Sequence, residues 1–214
     1  MALATYNDLL SAISTWMDRN DLSGNAADFV DLAEARLNRE IDGPRKTASL
    51  STVAASRFVS TSSIAIDQPV ALFLDVGTGE VVLPQYDDAS TPLDETAREP
   101  QRWRYDPSND RLAFDAPSDA VYPVRFVYDE RFALSDSVTT NDLLTKHPDV
   151  YLFACLIEAA SFTLDATLAA SYEFRLGQPL ARAKRYYSNQ RKSPLVVDPA
   201  LSSMDRRGDW WYFS

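Results

Sequence analysis

The sequence predicts an α+β protein, mainly α, in which a four-helix bundle carries a β-rich insertion between helices 2 and 3 and ends in an extended C-terminal arm. Apolar residues recur at helical spacing near both ends of the chain, β-type runs fill the middle, and periodicity disappears from Ser193 onward. The expected segments are 1–46 for a helical hairpin, 47–135 for the β-rich insertion, 136–192 for a second helical pair and 193–214 for the arm.

The first helical pair is predicted by apolar residues at three- and four-residue steps. Helix 1 contains Tyr6, Leu9, Leu10, Ile13, Trp16 and Met17, with Thr5 as its N-cap. Helix 2 should start near Ala26 with Asn25 as its cap and stop at Gly43-Pro44. Its inward residues are expected to be Phe29, Leu32, Ala33, Leu37 and Ile41.

The middle of the chain alternates runs rich in Val, Ile, Phe and Tyr with turns that contain Pro, Gly, Asn and Asp. Candidate strands are 63–67, 71–76, 80–83, 102–105, 111–114 and 121–128. The segments 77–79 and 106–110 should be turns between paired strands. The polar segment 87–100 should be an exposed loop.

The second helical pair begins with Pro148 in its first turn. Inward residues follow at helical spacing: Tyr151, Leu152, Cys155, Leu156, Ala159, Phe162 and Ala166. Phe153 and Ile157 make the first two turns apolar all round, so this helix should be central. A fourth helix over 169–191 should be kinked or split at 177–179 by Pro179.

Composition and charge exclude several classes of protein. The chain is 45% hydrophobic and 24% charged, so it should fold, and its net charge of −10 should repel DNA over most of the surface. The longest apolar run, 150–157, is far short of the roughly 20 residues that cross a bilayer. The first residues lack the features of a signal peptide. We therefore expect no membrane partner and no export.

Little in the sequence favours catalysis. His147 is the single histidine, which removes multi-histidine metal sites and most nucleophile triads, and we expect it to cap a helix or lie at the surface. Cys155 should be buried and out of reach of His147. We expect no enzyme activity, no cofactor and no metal. Two alternatives stay open: a virion-associated, carboxylate-based cell-wall hydrolase, and a β-type carbohydrate-binding module that uses Trp103, Tyr105 and Tyr128.

Two surface segments are candidates for contacts with partners. Residues 210–213 are four consecutive aromatics at the end of a polar arm, and exposing them to water is unfavourable. Either the arm docks on a partner or it folds back on its own domain. The basic segment 180–191 either complements a helix dipole or contacts an acidic neighbouring subunit through Arg182, Arg185 and Arg191.

Two segments resemble the head-to-tail adaptor (connector) proteins of tailed bacteriophages. The string 141–160, NDLLTKHPDVYLFACLIEAA, is similar to the opening of that family's third helix. The segment 29–39, with Ala33-Glu34-Ala35-Arg36-Leu37-Asn38-Arg39, is similar to its second helix. The order of helix pair, β insertion, helix pair and tail matches over essentially the full length.

The resemblance implies a structural protein of the virion head-tail junction, made in the host cytoplasm. It implies a homo-dodecameric ring below the portal protein, without a cofactor, that extends the DNA channel and offers a docking surface to a downstream tail or nozzle protein. Genomic DNA would pass through the channel without specific binding. The arm would bind the portal, with contacts at Leu201, Arg206, Arg207, Trp210, Trp211, Tyr212 and Phe213.

Overall fold

The protein has a helical part and a β part, each with its own hydrophobic core. The structure is a computed structural model that describes residues 3–87 and 93–191. Within these residues it contains five α-helices and two antiparallel sheets, which confirms the α+β class. The helices are α1 (Tyr6–Met17), α2 (Ala26–Glu40), α3 (Asp142–Lys146), α4 (Pro148–Phe162) and α5 (Ala166–Arg191). The strands are β1 (Arg45–Ser51), β2 (Phe58–Ser60), β3 (Ile66–Asp75), β4 (Glu80–Leu83), β5 (Trp103–Asp106), β6 (Arg111–Phe114) and β7 (Pro123–Glu130).

Helix α4 is the centre of the helical part, as its apolar circumference predicts. Helices α1, α2 and α5 all pack against it. Nine of its 15 residues are buried. Cys155 is among them, as expected, and burial raises the pKa of its thiol well above the ordinary value. Pro148 occupies the first turn, where its missing N–H leaves no hydrogen bond unmade.

The predicted starts of α1 and α2 are confirmed, but of these two helices only α1 has a side-chain cap. The Asp8 amide donates to the Thr5 hydroxyl at 3.2 Å and the Thr5 amide donates to the Asp8 carboxylate at 3.0 Å, which is a capping box. Asn25 makes no capping hydrogen bond, because residues Asn20–Asn25 form a short 3₁₀ helix that leads directly into α2. Its backbone is already helical there, which takes its side chain away from the capping geometry.

Three residues predicted to face the core are exposed. Ala166 is one of them, because α4 ends at Phe162 and Ala166 is the first residue of α5. Leu32 is 55% exposed because it lies about 100° around α2 from the centre of the side that Phe29, Ala33 and Leu37 bury. Phe162 is 58% exposed because it is the last residue of α4, where it covers one side of Phe29 with the ring centroids 5.4 Å apart. The helical repeat alone therefore does not predict how deeply these residues are buried.

Helix α5 is one continuous helix of 26 residues, so the predicted split at 177–179 does not occur. Pro179 lies inside it and has no N–H to donate to the carbonyl of Arg175 four residues earlier. Tyr172, Leu176, Ala183 and Tyr187 bury one side of the helix on both sides of the proline. Tertiary packing against α4 thus keeps the helix continuous despite the missing hydrogen bond.

The β part consists of a four-stranded sheet in the order β1-β7-β3-β4 and a three-stranded sheet in the order β2-β6-β5. All strand pairs are antiparallel. The sheets share a core in which the edge of Trp103 meets Phe126 with ring centroids 5.7 Å apart. The predicted turns at 77–79 and 106–110 connect paired strands. Residues 93–99 of the predicted loop are exposed or partly exposed, Pro100 is buried, and 88–92 lie outside the described residues.

Candidate assembly surfaces

The outward side of α5 carries an exposed aromatic residue next to arginines. Phe174 is 88% exposed, and Gln178, Arg182 and Arg185 follow it on the face turned away from α4. Neither arginine forms an ion pair with another described residue. The lysine of the same basic segment, Lys184, instead pairs with Glu40 of α2 at 2.8 Å. A solvent-facing phenylalanine on the same helix face as arginines without an ion pair is typical of a surface that is covered in an assembly.

A concavity of about 700 Å³ lies beside Phe174. Phe153 of α4 lines it, and the α5 residues that complete it are Glu173, Phe174, Arg175, Gly177, Gln178 and Pro179. On α1, Trp16 is 46% exposed and its ring meets Phe153 edge-on at 6.0 Å. Aromatic side chains from three helices thus form one accessible apolar region, of the size and composition that receives a side chain from a partner.

The two parts of the molecule are joined at the end of α5. The Arg191 guanidinium donates to the carbonyl oxygen of Gly43 at 2.9 Å and pairs with Asp129 at 3.2 Å and with Asp42 at 3.1 Å. Asp129 is buried in β7 and also pairs with Arg45 at 3.2 Å. Of the three predicted inter-subunit residues, Arg182 and Arg185 are therefore open at the surface, while Arg191 is occupied within its own chain.

Gly43 lies at this joint, where the backbone before β1 passes directly against the end of β7. A Cβ added to it would lie 1.7 Å from the carbonyl oxygen of Glu130, which no side chain could tolerate. The Glu130 amide donates to the carbonyl of Pro44 at 2.9 Å, so the chain entering β1 runs directly against the end of β7. The seven predicted portal-binding residues, Leu201, Arg206, Arg207, Trp210, Trp211, Tyr212 and Phe213, lie outside the described residues.

A buried hydrogen-bond network connects the two segments that carry the family resemblance. The hydroxyl of Tyr151 donates to Glu34 at 2.8 Å, and the side-chain amide of Asn141 donates to the Tyr151 hydroxyl at 2.7 Å. The Asn141 oxygen accepts from the amide of Leu144 and caps α3. Sequence reasoning missed Glu34 as a buried residue, since the helical period offers no sign that a glutamate lies inside.

Burial raises the pKa of Glu34 to about 7, more than its hydrogen bond from Tyr151 lowers it. In the same helix, Asn38 donates to the carbonyl of Phe132 and accepts from its amide, both at 2.8 Å. These contacts fix the segment that leads from β7 to α3. The network therefore sets how the helical part continues from the β part.

The residues considered for catalysis are engaged elsewhere. His147 lies at the predicted helix start, as the N-cap residue of α4, although its side chain makes no capping hydrogen bond there. It is half-buried, with its ring edge-on to Tyr186 at 5.5 Å. Asp94 pairs with Arg98 at 3.2 Å, and its hydrogen bond from the Thr96 amide lowers its pKa. Among residues 3–87 and 93–191 no cluster of three potential metal ligands occurs.

Of the three aromatics considered for sugar stacking, Trp103 and Tyr128 belong to the β core, and Tyr105 is partly buried and packs against it. Trp103 is fully buried and its indole N–H donates to the carbonyl of Leu83 at 2.9 Å. Tyr128 is also buried and stacks on Phe126. In the described part of the chain, no helix has the length and apolar character needed to span a bilayer.

The sequence resemblance points to the phage head-to-tail adaptors as the class of this protein. The family model described as SU10 adaptor protein matches residues 4–198, and the chain belongs to this family of phage head-to-tail adaptors. The match covers the helices, the strands and the first residues of the predicted arm, and it ends before the aromatic residues 210–213. No curated protein matches the chain. Membership in the family implies interaction with other virion proteins at the head-tail junction.

Proposed function

We propose that the chain is a structural adaptor without catalytic activity that assembles as a dodecameric ring below the portal protein and extends the DNA channel. The observation that carries this proposal is the family match over residues 4–198. The exposure of Phe174 beside an apolar concavity supports self-association, because so large an apolar surface is unfavourable in water. The remaining surface would receive a downstream tail or nozzle protein.

In this ring the outward face of α5 contacts an acidic surface of the neighbouring subunit. Arg182 and Arg185 are exposed, and the chain as a whole carries a net charge of −10, so acidic surface is abundant on a second copy. Phe174 would supply the apolar centre of the contact and the arginines its charged rim. Arg191 lies at the end of the same helix, and by holding that end at the joint it would position α5 for this contact.

The acidic charge also suits a channel for DNA. Twelve copies at −10 each carry −120 in total. Carboxylates that line the lumen would repel the phosphate backbone and let genomic DNA pass without specific binding.

The arm 193–214 docks on the portal protein through its aromatic segment, with Leu201, Arg206 and Arg207 as further contacts. It starts at the joint between the two parts of the molecule, where Arg191 is held by Asp129 and Asp42. The segment between the joint and the aromatics contains prolines and serines, so docking would order it only when the portal is present.

Electron microscopy of the purified protein with portal tests both parts of the proposal. The full chain should form rings bound to portal, while a chain that lacks 193–214 should fold normally but lose portal binding. Replacing Trp210, Trp211, Tyr212 and Phe213 by serine in the full-length chain separates the aromatic contact from arm length and should have the same effect. Undiminished portal binding by either variant would refute the role of the arm, and absence of rings under all conditions would refute the ring.

A further inference from the structure

The four-stranded sheet has two open edges, and the first is β1. Its seven residues pair with β7 in an unbroken register, and the strand contains neither proline nor a bulge. Five of the seven residues are exposed and the other two, Ala48 and Leu50, are partly exposed. Soluble proteins usually protect such an edge because its free N–H and C=O groups can pair with another strand.

The hydrogen bonds that flank β1 show which of its backbone groups face the open edge. The Glu130 amide donates to the Pro44 carbonyl at 2.9 Å and the Thr52 amide donates to the Tyr122 carbonyl at 3.0 Å. Since hydrogen-bonded positions alternate in an antiparallel pair, the backbone groups of Thr47 and Ser49 point away from β7. No described residue accepts from or donates to them.

The second open edge is β4. The Val76 amide donates to the Gly79 carbonyl at 3.3 Å, so by the same alternation Glu80 and Val82 direct their backbone groups away from β3. These groups also have no backbone partner among the described residues. Val81 and Val82 are 47% and 59% exposed, which leaves an apolar strip along this edge.

The two edges are compatible with each other. Strand direction alternates along the order β1-β7-β3-β4, so β4 and β1 run in opposite directions. The β4 edge of one copy can therefore continue into the β1 edge of the next as an antiparallel pair. A rotation that relates copies in a ring preserves this arrangement, and each copy then uses each edge once.

We propose that neighbouring copies pair β4 of one with β1 of the next, with Val82 opposite Ser49. This register makes Glu80 and Ser51 the second hydrogen-bonded pair. It also places Val81 against Leu50 on the side of the sheet that faces the β core, because Val81 lies opposite Leu74 and Leu50 lies opposite Val124. A shift by two residues would place Leu83 against Lys46 instead of Ala48. The inference rests on the proposed self-assembly and specifies one of its contacts.

A cysteine pair tests the contact. Ser49→Cys and Val82→Cys in one chain lie on strands separated by two others, about 14 Å apart, too far for a disulfide within one copy. After mild oxidation of assembled protein, a non-reducing gel should show a ladder of covalent multimers. The native Cys155 is fully buried and adds no background. The control pairs Thr15→Cys on α1 with Val82→Cys, and it should give no ladder.

A second variant tests the same pairing without relying on a cross-link. Ser49→Pro removes an N–H that the isolated fold does not use, so folding should be unchanged while self-association weakens roughly fivefold to tenfold per contact, with Ser49→Ala unaffected. If the cysteine pair forms rings but gives no ladder, the strand pairing is refuted. The same holds if Ser49→Pro forms rings with unchanged affinity. Either result leaves the adaptor function standing. The strand pairing is also refuted if the ladder appears only after deletion of 192–214, because that result would mean that the arm covers β1 in the full-length chain. Absence of rings for the unaltered chain would instead refute the proposed function.

Discussion

Glu34 is a buried carboxylic acid of α2 that a hydrogen-bond network connects to α4 and to the start of α3. It is only 7% exposed, and the Tyr151 hydroxyl donates to it. Because burial raises its pKa to about 7, the folded protein retains a proton that the unfolded chain loses near the ordinary value of 4.5. A single side chain thus makes the stability of the helical part depend on pH.

The sign of this dependence follows from proton binding. Between about pH 4.5 and 7 the folded state binds more protons at Glu34, so the free energy of unfolding should fall as pH rises and level off above about 7. The contribution is at most about 3 kcal/mol. Glu34→Gln should remove it, which urea denaturation at pH 5 and pH 8 measures as a smaller difference between the two pH values.

Glu40→Gln is the matched control, with the opposite sign. Lys184 and Arg36 lower the pKa of Glu40, so its contribution is present above its ordinary pKa and is lost as the pH falls. If Glu34→Gln leaves the pH dependence of stability as it is in the unaltered chain, Glu34 does not retain its proton on folding.

At the scale of elements, the end of α5 holds the helical part to the sheet. Arg191 shares the buried carboxylate of Asp129 with Arg45. Removing either arginine leaves the Asp129 carboxylate with one of its two paired cations. This is unfavourable because a buried carboxylate without its partner is costly.

Arg191→Ala should therefore lower the free energy of unfolding by on the order of 3 kcal/mol, measured by urea denaturation. Arg182→Ala on the same helix removes an arginine that has no described ion pair, and it should change stability by less than about 0.5 kcal/mol. Equal effects of the two substitutions would show that the joint does not depend on Arg191.

Elements with strong apolar periodicity were predictable from the sequence, and those defined by their neighbours were not. The helices α1, α2 and α4 and the strands β4 and β6 follow from local pattern. Strand β1, with the sequence RKTASLS, escaped prediction because only Ala48 and Leu50 are apolar, and its structure depends on pairing with β7. The three-residue strand β2 is too short to show a period.

The same distinction applies to the candidate surfaces. The basic segment 180–191 is visible in the sequence, but whether an arginine faces solvent or a buried carboxylate depends on what packs against the helix. Arg182 and Arg191 have the same side chain on one helix and end in different surroundings. The concavity beside Phe174 joins α4 and α5 around Pro179, a position that local rules predicted as a break.

At the scale of the whole molecule, we expect the exposed aromatic on α5 to contribute to assembly and very little to folding. Phe174 is 88% exposed, so the isolated chain gains little from it, whereas the proposed ring would bury it.

Phe174→Ser should thus leave the free energy of unfolding within about 0.5 kcal/mol while it shifts sedimentation from rings to smaller species. Val121→Ser is a suitable control, because Val121 is 63% exposed in the β part. Rings of Phe174→Ser at the protein concentration that suffices for the unaltered chain would exclude this face as an interface.

The division of the helical core between both ends of the chain has a consequence for biosynthesis. Its buried residues come from 6–41 and 132–187, while those of the β core all lie within 59–128. On the ribosome, the β part can thus fold as soon as it emerges, but the first two helices must wait for α4 to complete their packing. The surface of α5 forms after the β part and the first helices, so nascent chains on one messenger cannot associate through it before Ala166–Arg191 has been made.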